Sequence, residues 1–378
     1  MANVWIVPDS VFDAGTLQQG RAVRLEEGQV TTICDLAAVP QGHRLLAVAG
    51  VLTPGFVDLQ INGGGGVLFN QSPDPAGIAA IAAAHRRFGT VALMPTLITD
   101  APAVLAHAAK AAIAARASRG FAGLHIEGPH IALSRRGTHA AAFVRPLDDV
   151  TLETLHNLRA AGVTVMMTLA PEIVTPDQIA ALTAMGIIVS LGHSDATAEQ
   201  ANAAFAAGAR SVTHLFNAMS QMQGRAPGLV GAAINSDVYV GIICDGVHVA
   251  DDMVALACRA RPVAGRMILV SDAMPTVGGP DRFDLYGQEI RLQDARLVNA
   301  EGNLAGAHCT MLSGVQRLVR QVGLSLEQAL HMAITAPATL LGAAHLGQVA
   351  GRSVDDLFVV DDALAWHPLS GNIRRDIA

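Results

Sequence analysis

Glu127, His193, His214 and Asp272 each stand at the end of an apolar run. The runs are Leu124-His125-Ile126, Ile187-Ile188-Val189-Ser190-Leu191-Gly192, Ser211-Val212-Thr213 and Met267-Ile268-Leu269-Val270-Ser271. A fifth, Val240-Gly241-Ile242-Ile243-Cys244, ends in Asp245-Gly246-Val247-His248. Two imidazoles and one carboxylate make a three-ligand set for Zn²⁺ or a similar cation, with positions open for water and substrate. A carboxylate beside such a cation is the natural acceptor for a proton from water, and Asp272 is placed to take it and return it to a leaving nitrogen. Read singly, these residues would be a capping glutamate, two hydrogen-bonded histidines and an N-cap aspartate. Their shared position at strand ends favours one site.

His139, in Arg136-Gly137-Thr138-His139, and His248 follow the runs Leu124-His125-Ile126 and Val240-Gly241-Ile242-Ile243-Cys244, in the loops beyond them. A histidine near a cation can donate to a developing oxyanion. Asn217 and Arg225 offer an amide and a guanidinium fork to a phosphate. Gly63 to Gly66 allow close backbone approach, but no Lys-Ser/Thr follows, so they are not a P-loop. His85, His107, His156, His331, His345 and His367 lie in or beside helical stretches or in the tail, where a structural role is expected.

Absences sharpen the reading. Where many metal-dependent barrel hydrolases carry His-x-His, this chain has Gln60-Ile61-Asn62. Neutral amides are poor metal ligands, so these two residues mark a vacant second-metal position. The fourth run, Val163-Thr164-Val165-Met166-Met167-Thr168, has no lysine to bridge two ions; Lys110, the sole lysine of the chain, falls in a helical stretch. One metal per chain is the expectation.

Such strand ends need an architecture that points them at one face. Eight apolar runs can be placed: Gly55–Leu59, Val91–Thr96, Gly123–Ile126, Val163–Leu169, Ile187–Leu191, Ser211–Thr213, Tyr239–Cys244 and Met267–Ser271. Ala-rich stretches of helical spacing lie between them, such as Ala76–Phe88, Ala101–Ala117 and Ala196–Ala207. The alternation predicts an α/β fold, a (β/α)₈ TIM-type barrel over residues 54–342. Pro275–Gly306 breaks the rhythm with alternating residues and reads as a β-hairpin insertion; three helices are expected after it, through Leu341. Residues 1–53 and 343–378 alternate as strands do and are expected to share one small β-sandwich domain.

Composition bounds the function. The 378 residues carry a net charge of −7, which argues against nucleic acid and anionic membrane as main partners. Hydrophobic residues make up 51% and aromatics only 4%, so the core is built from small aliphatics. Cys34, Cys244, Cys258 and Cys309 are far apart and unpaired in pattern, which fits a reduced, cytoplasmic compartment. No signal peptide or uninterrupted membrane span is read in the chain.

Seven motifs together resemble a known family. They are Pro54-Gly55-Phe56-Val57-Asp58-Leu59-Gln60-Ile61-Asn62-Gly63, Ile126-Glu127-Gly128-Pro129, Gly137-Thr138-His139, Gly192-His193-Ser194, Thr213-His214-Leu215-Phe216-Asn217-Ala218-Met219, Asp245-Gly246-Val247-His248 and Val270-Ser271-Asp272-Ala273. In this order, from about Pro54 to Leu341, they resemble the N-acetylglucosamine-6-phosphate deacetylases of the amidohydrolase superfamily. The resemblance implies a metal held by Glu127, His193 and His214, most often Zn²⁺, with Fe²⁺, Co²⁺ or Mn²⁺ as alternatives. It implies Asp272 as general base and acid, and His139 as the group that meets the acetyl carbonyl. Asn217, Ala218, Arg225 and His248 would bind the sugar phosphate, Leu304, Ala305 and Gly306 would line the acetyl end, and Thr138 and Asp245 would be further substrate-binding residues. The arginine matching Arg225 reaches a neighbouring subunit's site in that family, which implies a homodimer. Three other readings are kept beside it. They are a deacetylase for N-acetylgalactosamine 6-phosphate, a cyclic amidase such as a dihydroorotase (weakened by the missing His-x-His and lysine), and a non-catalytic sugar-phosphate sensor. His130-Ile131 departs from the aromatic or aliphatic pair expected after Gly128-Pro129.

Overall fold

In the computed structural model, which describes residues 4–302 and 304–371, eight strands pair in parallel in chain order. They are Phe56–Ile61, Thr90–Ile98, Leu124–Glu127, Val165–Leu169, Ile188–Leu191, Ser211–Val212, Tyr239–Ile242 and Met267–Leu269. Helices between them cover the outside, as expected of a (β/α)₈ barrel. The later strands are shorter than their apolar runs. Thr213, Cys244 and Ser271 have left the ladder, because the chain is already turning there to present the polar residues that follow.

The helices start where local chemistry says they should. Asp74 caps Pro75–Arg86 by accepting from the Gly77 N–H, and Thr175 and Thr197 form capping boxes with Gln178 and Gln200. In Pro102–Ala115 the inward face is Leu105, Ala108, Ala109, Ala111, Ala112 and Ala115. Side chains this small let the helix axis lie close to the strands, which explains a core with so few aromatics.

Strands one and eight do not share a regular ladder. The seam is closed by the residues beyond the eighth strand. Asp272 N–H donates to the Gln60 carbonyl at 3.0 Å, and Asn62 and Gly63 N–H both donate to the Ala273 carbonyl at 2.9 Å. Below them lies Asp58, fully buried, whose Oδ1 accepts from the N–H groups of Gln60 at 3.2 Å and Ser271 at 3.3 Å. Its Oδ2 has no partner among the described residues. Burial pushes its pKa up to about 7, and Asp272 nearby adds to the rise.

The folded chain binds a proton at Asp58 more tightly than the unfolded chain, whose carboxyl titrates near 4. Wild-type stability therefore falls as pH rises from about 4 to about 7, by up to roughly 4 kcal/mol for this one group, and is flat above. Asp58→Asn keeps an oxygen for the two N–H groups and removes the titration. It is expected to be more stable than wild type at pH 8.5, by about 1–3 kcal/mol, and to lose that advantage by pH 5. Denaturant midpoints at the two pH values measure this; an advantage that is the same at both would exclude a buried proton on Asp58.

The chain segments on either side of the barrel meet in one sheet. Leu357–Val360 pairs with Arg44–Pro54, and the order continues through Val4–Asp13 and Arg21–Glu26 to Gln29–Asp35. Val30 then exchanges hydrogen bonds with Arg352 and Gly351, which curls the far edge back toward the start of Leu357–Val360. The two layers expected of a sandwich thus come from a single hydrogen-bonded sheet of seven strands, around a core of Ile6, Val11, Val23, Leu52, Leu357 and Val359. Residues 1–3 and 372–378 of the expected flanks lie outside the described residues.

The insertion differs from the expected hairpin by one strand. Arg282–Leu285, Gln288–Gln293 and Arg296–Val298 form a three-stranded antiparallel sheet. Its apolar face (Leu285, Ile290, Leu297) packs on Leu68, Ile98 and Met274, at the same end of the barrel as the polar strand ends. Of the three helices expected after it, Met311–Arg320 is regular. Leu326–Leu330 and Ala336–Leu340 are joined by a π-helical turn, His331–Thr335.

Candidate active site

The backbone bends sharply at the residues the site needs. His193, His214 and Asp272 have φ of 47°, 27° and 49°, and Phe216 and Ala218 follow at 77° and 49°. Left-handed backbone at non-glycine residues costs roughly 1–3 kcal/mol each and is kept where the surroundings impose it. Here it swings each side chain out of the pleat and over the barrel mouth. Glu127, the last residue of its strand, reaches the same place with ordinary geometry.

Glu127, His193 and His214 converge. Glu127 Oε1 is 3.2 Å from His193 Nε2 and 3.0 Å from His214 Nε2, and the two Nε2 atoms are 3.0 Å apart. Three ligands at 2.0–2.1 Å from a tetrahedral ion would be spaced by about 3.3 Å, so the donor set fits a cation such as Zn²⁺. All three are buried, at 2%, 5% and 4% exposure. His193 Nδ1 donates to the Arg135 carbonyl at 2.9 Å, which leaves Nε2 as the free donor atom. Burial opposes charge on both Glu127 and His214, but the hydrogen bonds of Glu127 with His193 and His214 outweigh it. The Glu127 carboxyl lies well below its usual range, and the His214 imidazole is raised. His139 stacks on His193 at 4.3 Å between ring centroids, and ligand atoms of Glu127, His139 and His193 also lie within 4.8 Å of one another. Glu127, His193 and His214 are the tighter set.

Gln60 and Asn62 set amide groups beside the two carboxylates. Gln60 Nε2 donates to Glu127 Oε1 at 3.0 Å and to Asp272 Oδ1 at 3.1 Å. Both neighbours are carboxylate oxygens, so the amide must face them with its N–H groups, which repel a cation. Asn62 Nδ2 adds a donor to Asp272 Oδ1 at 2.7 Å. These two bonds hold Oδ1 and leave Asp272 Oδ2 for chemistry. Burial pushes Asp272 up to about 6, with Glu127 the next cause. Metal analysis of the purified, reconstituted protein is expected to give close to one tightly bound divalent ion per chain. Two ions, one of them against Gln60 or Asn62, would contradict the amide argument.

His139 is buried and held by a residue that sequence reading missed. Its Nδ1 is 2.8 Å from Thr99 Oγ1 and accepts from the Thr99 N–H at 3.4 Å. With Nδ1 accepting, the ring proton sits on Nε2, the nitrogen free to donate to a ligand. Burial, then His193, keeps the ring well below the usual imidazole range and therefore neutral. A cavity of about 580 Å³ opens beside it, lined by Thr138, His139, Leu285, Tyr286, Leu304 and Ala305. Thr138, Leu304 and Ala305 thus line the same cavity as His139.

The expected phosphate contacts are less uniform. Asp245 Oδ1 accepts from the N–H groups of Val247 and His248, both at 2.8 Å, and its Oδ2 pairs with His248 Nδ1 at 2.7 Å. With Nδ1 engaged there, Nε2 is the ring nitrogen left to meet a ligand. Asn217 spends its Nδ2 on the carbonyls of His214 and Leu215 within its own turn. The Ala218 carbonyl accepts from Ser194 N–H at 3.1 Å. Arg225 is exposed and makes no hydrogen bond or ion pair with the site among the described residues. Gly306, at φ 75°, lies against Met274. His130 and Ile131 are both fully buried, His130 donating to the Arg145 carbonyl at 3.0 Å, so their departure from the expected pair concerns packing.

Comparison with known proteins accords with this geometry. Residues 51–376 match the amidohydrolase family. An N-acetylgalactosamine-6-phosphate deacetylase from Shewanella sp. is 37% identical over 362 residues, 93% of this chain and 91% of that protein. An N-acetylglucosamine-6-phosphate deacetylase from Haemophilus influenzae is 35% identical over 316 residues, 82% of each. The crystal structure of N-acetylglucosamine-6-phosphate deacetylase from Pasteurella multocida superposes with a TM-score of 0.88 at 31% identity, covering 96% of this chain and 97% of that one. The barrel, the buried Glu/His/His cluster and these likenesses place the chain in the amidohydrolase family, within its N-acetylglucosamine-6-phosphate deacetylase branch.

Proposed function

We propose that this protein hydrolyses the acetamide of N-acetylglucosamine 6-phosphate to glucosamine 6-phosphate and acetate, a step of amino-sugar catabolism. The observation that carries the reading is Asp272, a base held by two amides beside the Glu127–His193–His214 cluster, with a neutral His139 across the opening. A divalent cation in that cluster would supply Lewis acidity, polarising the amide carbonyl and acidifying a water. Asp272 Oδ2 takes a proton from the attacking water. It delivers that proton to the amide nitrogen as the C–N bond breaks, so the amine leaves neutral. His139 Nε2–H donates to the carbonyl oxygen as negative charge grows on it. Zn²⁺ suits two imidazoles and a carboxylate best; Fe²⁺, Co²⁺ and Mn²⁺ share the geometry.

The galacto epimer is the second reading, because the Shewanella relative, named for N-acetylgalactosamine 6-phosphate, is alike over nearly the whole chain. The two sugars differ at one hydroxyl. Values of kcat/KM for both sugar phosphates decide between them: the gluco reading expects the N-acetylglucosamine ester to be preferred at least tenfold, and a reversed ratio overturns it.

The phosphate and assembly readings belong to the same proposal. The chain is acidic overall, so local donors must hold a dianion; Arg225 and the Asp245-oriented His248 are the candidates. Arg225 lies exposed, away from the cluster's hydrogen bonds, which suits a residue that works in the site of a second copy in a homodimer. Arg225→Ala is expected to lower kcat/KM for the phosphorylated sugar about ten- to a hundredfold, the loss of one charge-assisted contact. Hydrolysis of unphosphorylated N-acetylglucosamine should barely change. Equal losses on both sugars would remove Arg225 from the phosphate site. A cytoplasmic location is inferred from the widely spaced free thiols. Among the described residues no helix is long and apolar enough to cross a membrane.

A further inference from the structure

The insertion carries a strained aromatic residue at its tip. Leu285 pairs with Gln288, so Tyr286-Gly287 is a two-residue hairpin turn, with φ of 54° and 79°. Two successive left-handed residues define the type I′ turn, whose first position favours asparagine. A bulky aromatic there is an outlier and calls for a cause. Holding the hairpin together is not that cause, because its base is already packed on Leu68, Ile98 and Met274 and tethered by Gln71 Nε2 to the Asp284 carbonyl at 3.0 Å.

The tyrosine hydroxyl shows where the strain is used. It donates to the Thr99 carbonyl at 2.5 Å. Thr99 is the residue whose N–H and Oγ1 hold His139 Nδ1. Thr99 Oγ1 also lies 3.4 Å from the Glu127 carbonyl oxygen. Tyr286 and His139 therefore grip the two ends of one residue, and both line the same cavity. Tyr286 lies 187 positions beyond Thr99 in the chain and reaches back to it from the insertion.

We propose that Tyr286 is a positioning residue for the acetamide hydrolysis proposed above, on which the catalytic part of this inference rests. Its hydroxyl clasps Thr99, which holds His139 with Nε2–H turned toward the reacting carbonyl, and its ring closes that side of the cavity. His139 acts on charge that develops in the transition state, so loosening it lowers kcat more than it raises KM.

Two variants separate this role from a merely structural one. Tyr286→Phe keeps the ring and deletes the clasp; kcat is expected to fall about five- to twentyfold with KM within twofold of wild type. Tyr286→Asn installs the residue the turn prefers. Its Tm should match or exceed that of wild type while kcat falls at least as far as in Tyr286→Phe. Ring ¹⁵N spectra of the histidines supply a readout that needs no substrate: His139 should be a single Nε2-protonated tautomer in the wild-type holoprotein and a mixture in Tyr286→Phe. A Tyr286→Phe enzyme with wild-type kcat and an unchanged His139 spectrum overturns the clasp. So does a Tyr286→Asn protein that loses Tm and activity in parallel, which would make the tyrosine a packing residue. Should wild type hydrolyse neither sugar phosphate, the deacetylase reading fails, and the spectra still decide whether Tyr286 sets the His139 tautomer.

Discussion

Asp272→Asn will lower kcat about a thousandfold and leave fold and metal content unchanged. The asparagine has the same size, and its Oδ1 can still accept from Gln60 Nε2 and Asn62 Nδ2, which hold the native side chain at 3.1 and 2.7 Å. Glu127, His193 and His214, the proposed ligand set, are untouched. What disappears is the ability to take a proton, and positioned acid–base groups contribute about 10²–10⁴ in rate. The sign of the pH dependence follows from the same residue. Burial and Glu127 push Asp272 up to about 6, and the carboxylate is the working form. Wild-type kcat should therefore decline as pH falls through that region. The residual activity of the asparagine variant should lack that decline. A bound cation lowers the midpoint without changing the direction. Turnover above a tenth of wild type in a metal-replete Asp272→Asn protein would take the role from Asp272.

His139→Ala is expected to lower kcat about a hundred- to a thousandfold with a small change in KM. Deleting one donor from an oxyanion site typically costs that much. The donor here is well prepared: buried, kept neutral by burial and His193, and fixed in tautomer by Thr99. Metal content separates this role from ligation, because His139 also stands within 4.8 Å of Glu127 and His193. Full metal with low kcat supports an oxyanion donor. Loss of the metal would make His139 a ligand and displace His214 from the tighter set.

The residues that end apolar runs were readable because hydrophobic strands have no reason of their own to finish in Glu127, His193, His214 or Asp272. A parallel barrel supplies that reason, and it fixed the order and the face together. The length of each strand was less readable. Ser271 and Thr213 look like strand residues, yet the left-handed turns at Asp272 and His214 pull them off the ladder, and no hydrophobic pattern encodes a φ of 49° or 27°. Thr99 escaped notice because a threonine after a strand is ordinary; only the fold brings His139 against it. Tyr286 was hidden further, in an insertion read as a plain hairpin, 187 positions from its acceptor. Asp58 lies inside the Pro54–Gly63 motif, but its burial at the seam between strands one and eight depends on barrel closure, which no local pattern shows. Gln60 and Asn62 stand out in the sequence because they replace histidines. The structure adds that their N–H groups hold Glu127 and Asp272.

The central claim is that one cation, held by Glu127, His193 and His214, and one base, Asp272, cleave the acetamide of an N-acetylated amino-sugar 6-phosphate. It is tested most directly by following acetate and free amine together, with N-acetylglucosamine 6-phosphate and the purified holoprotein. The account predicts the two products in equal amounts, their loss on chelation, and recovery that saturates at one equivalent of Zn²⁺ per chain. Metal-replete protein that forms neither product from this sugar phosphate or its galacto epimer, or activity indifferent to chelation after proven metal removal, would contradict it.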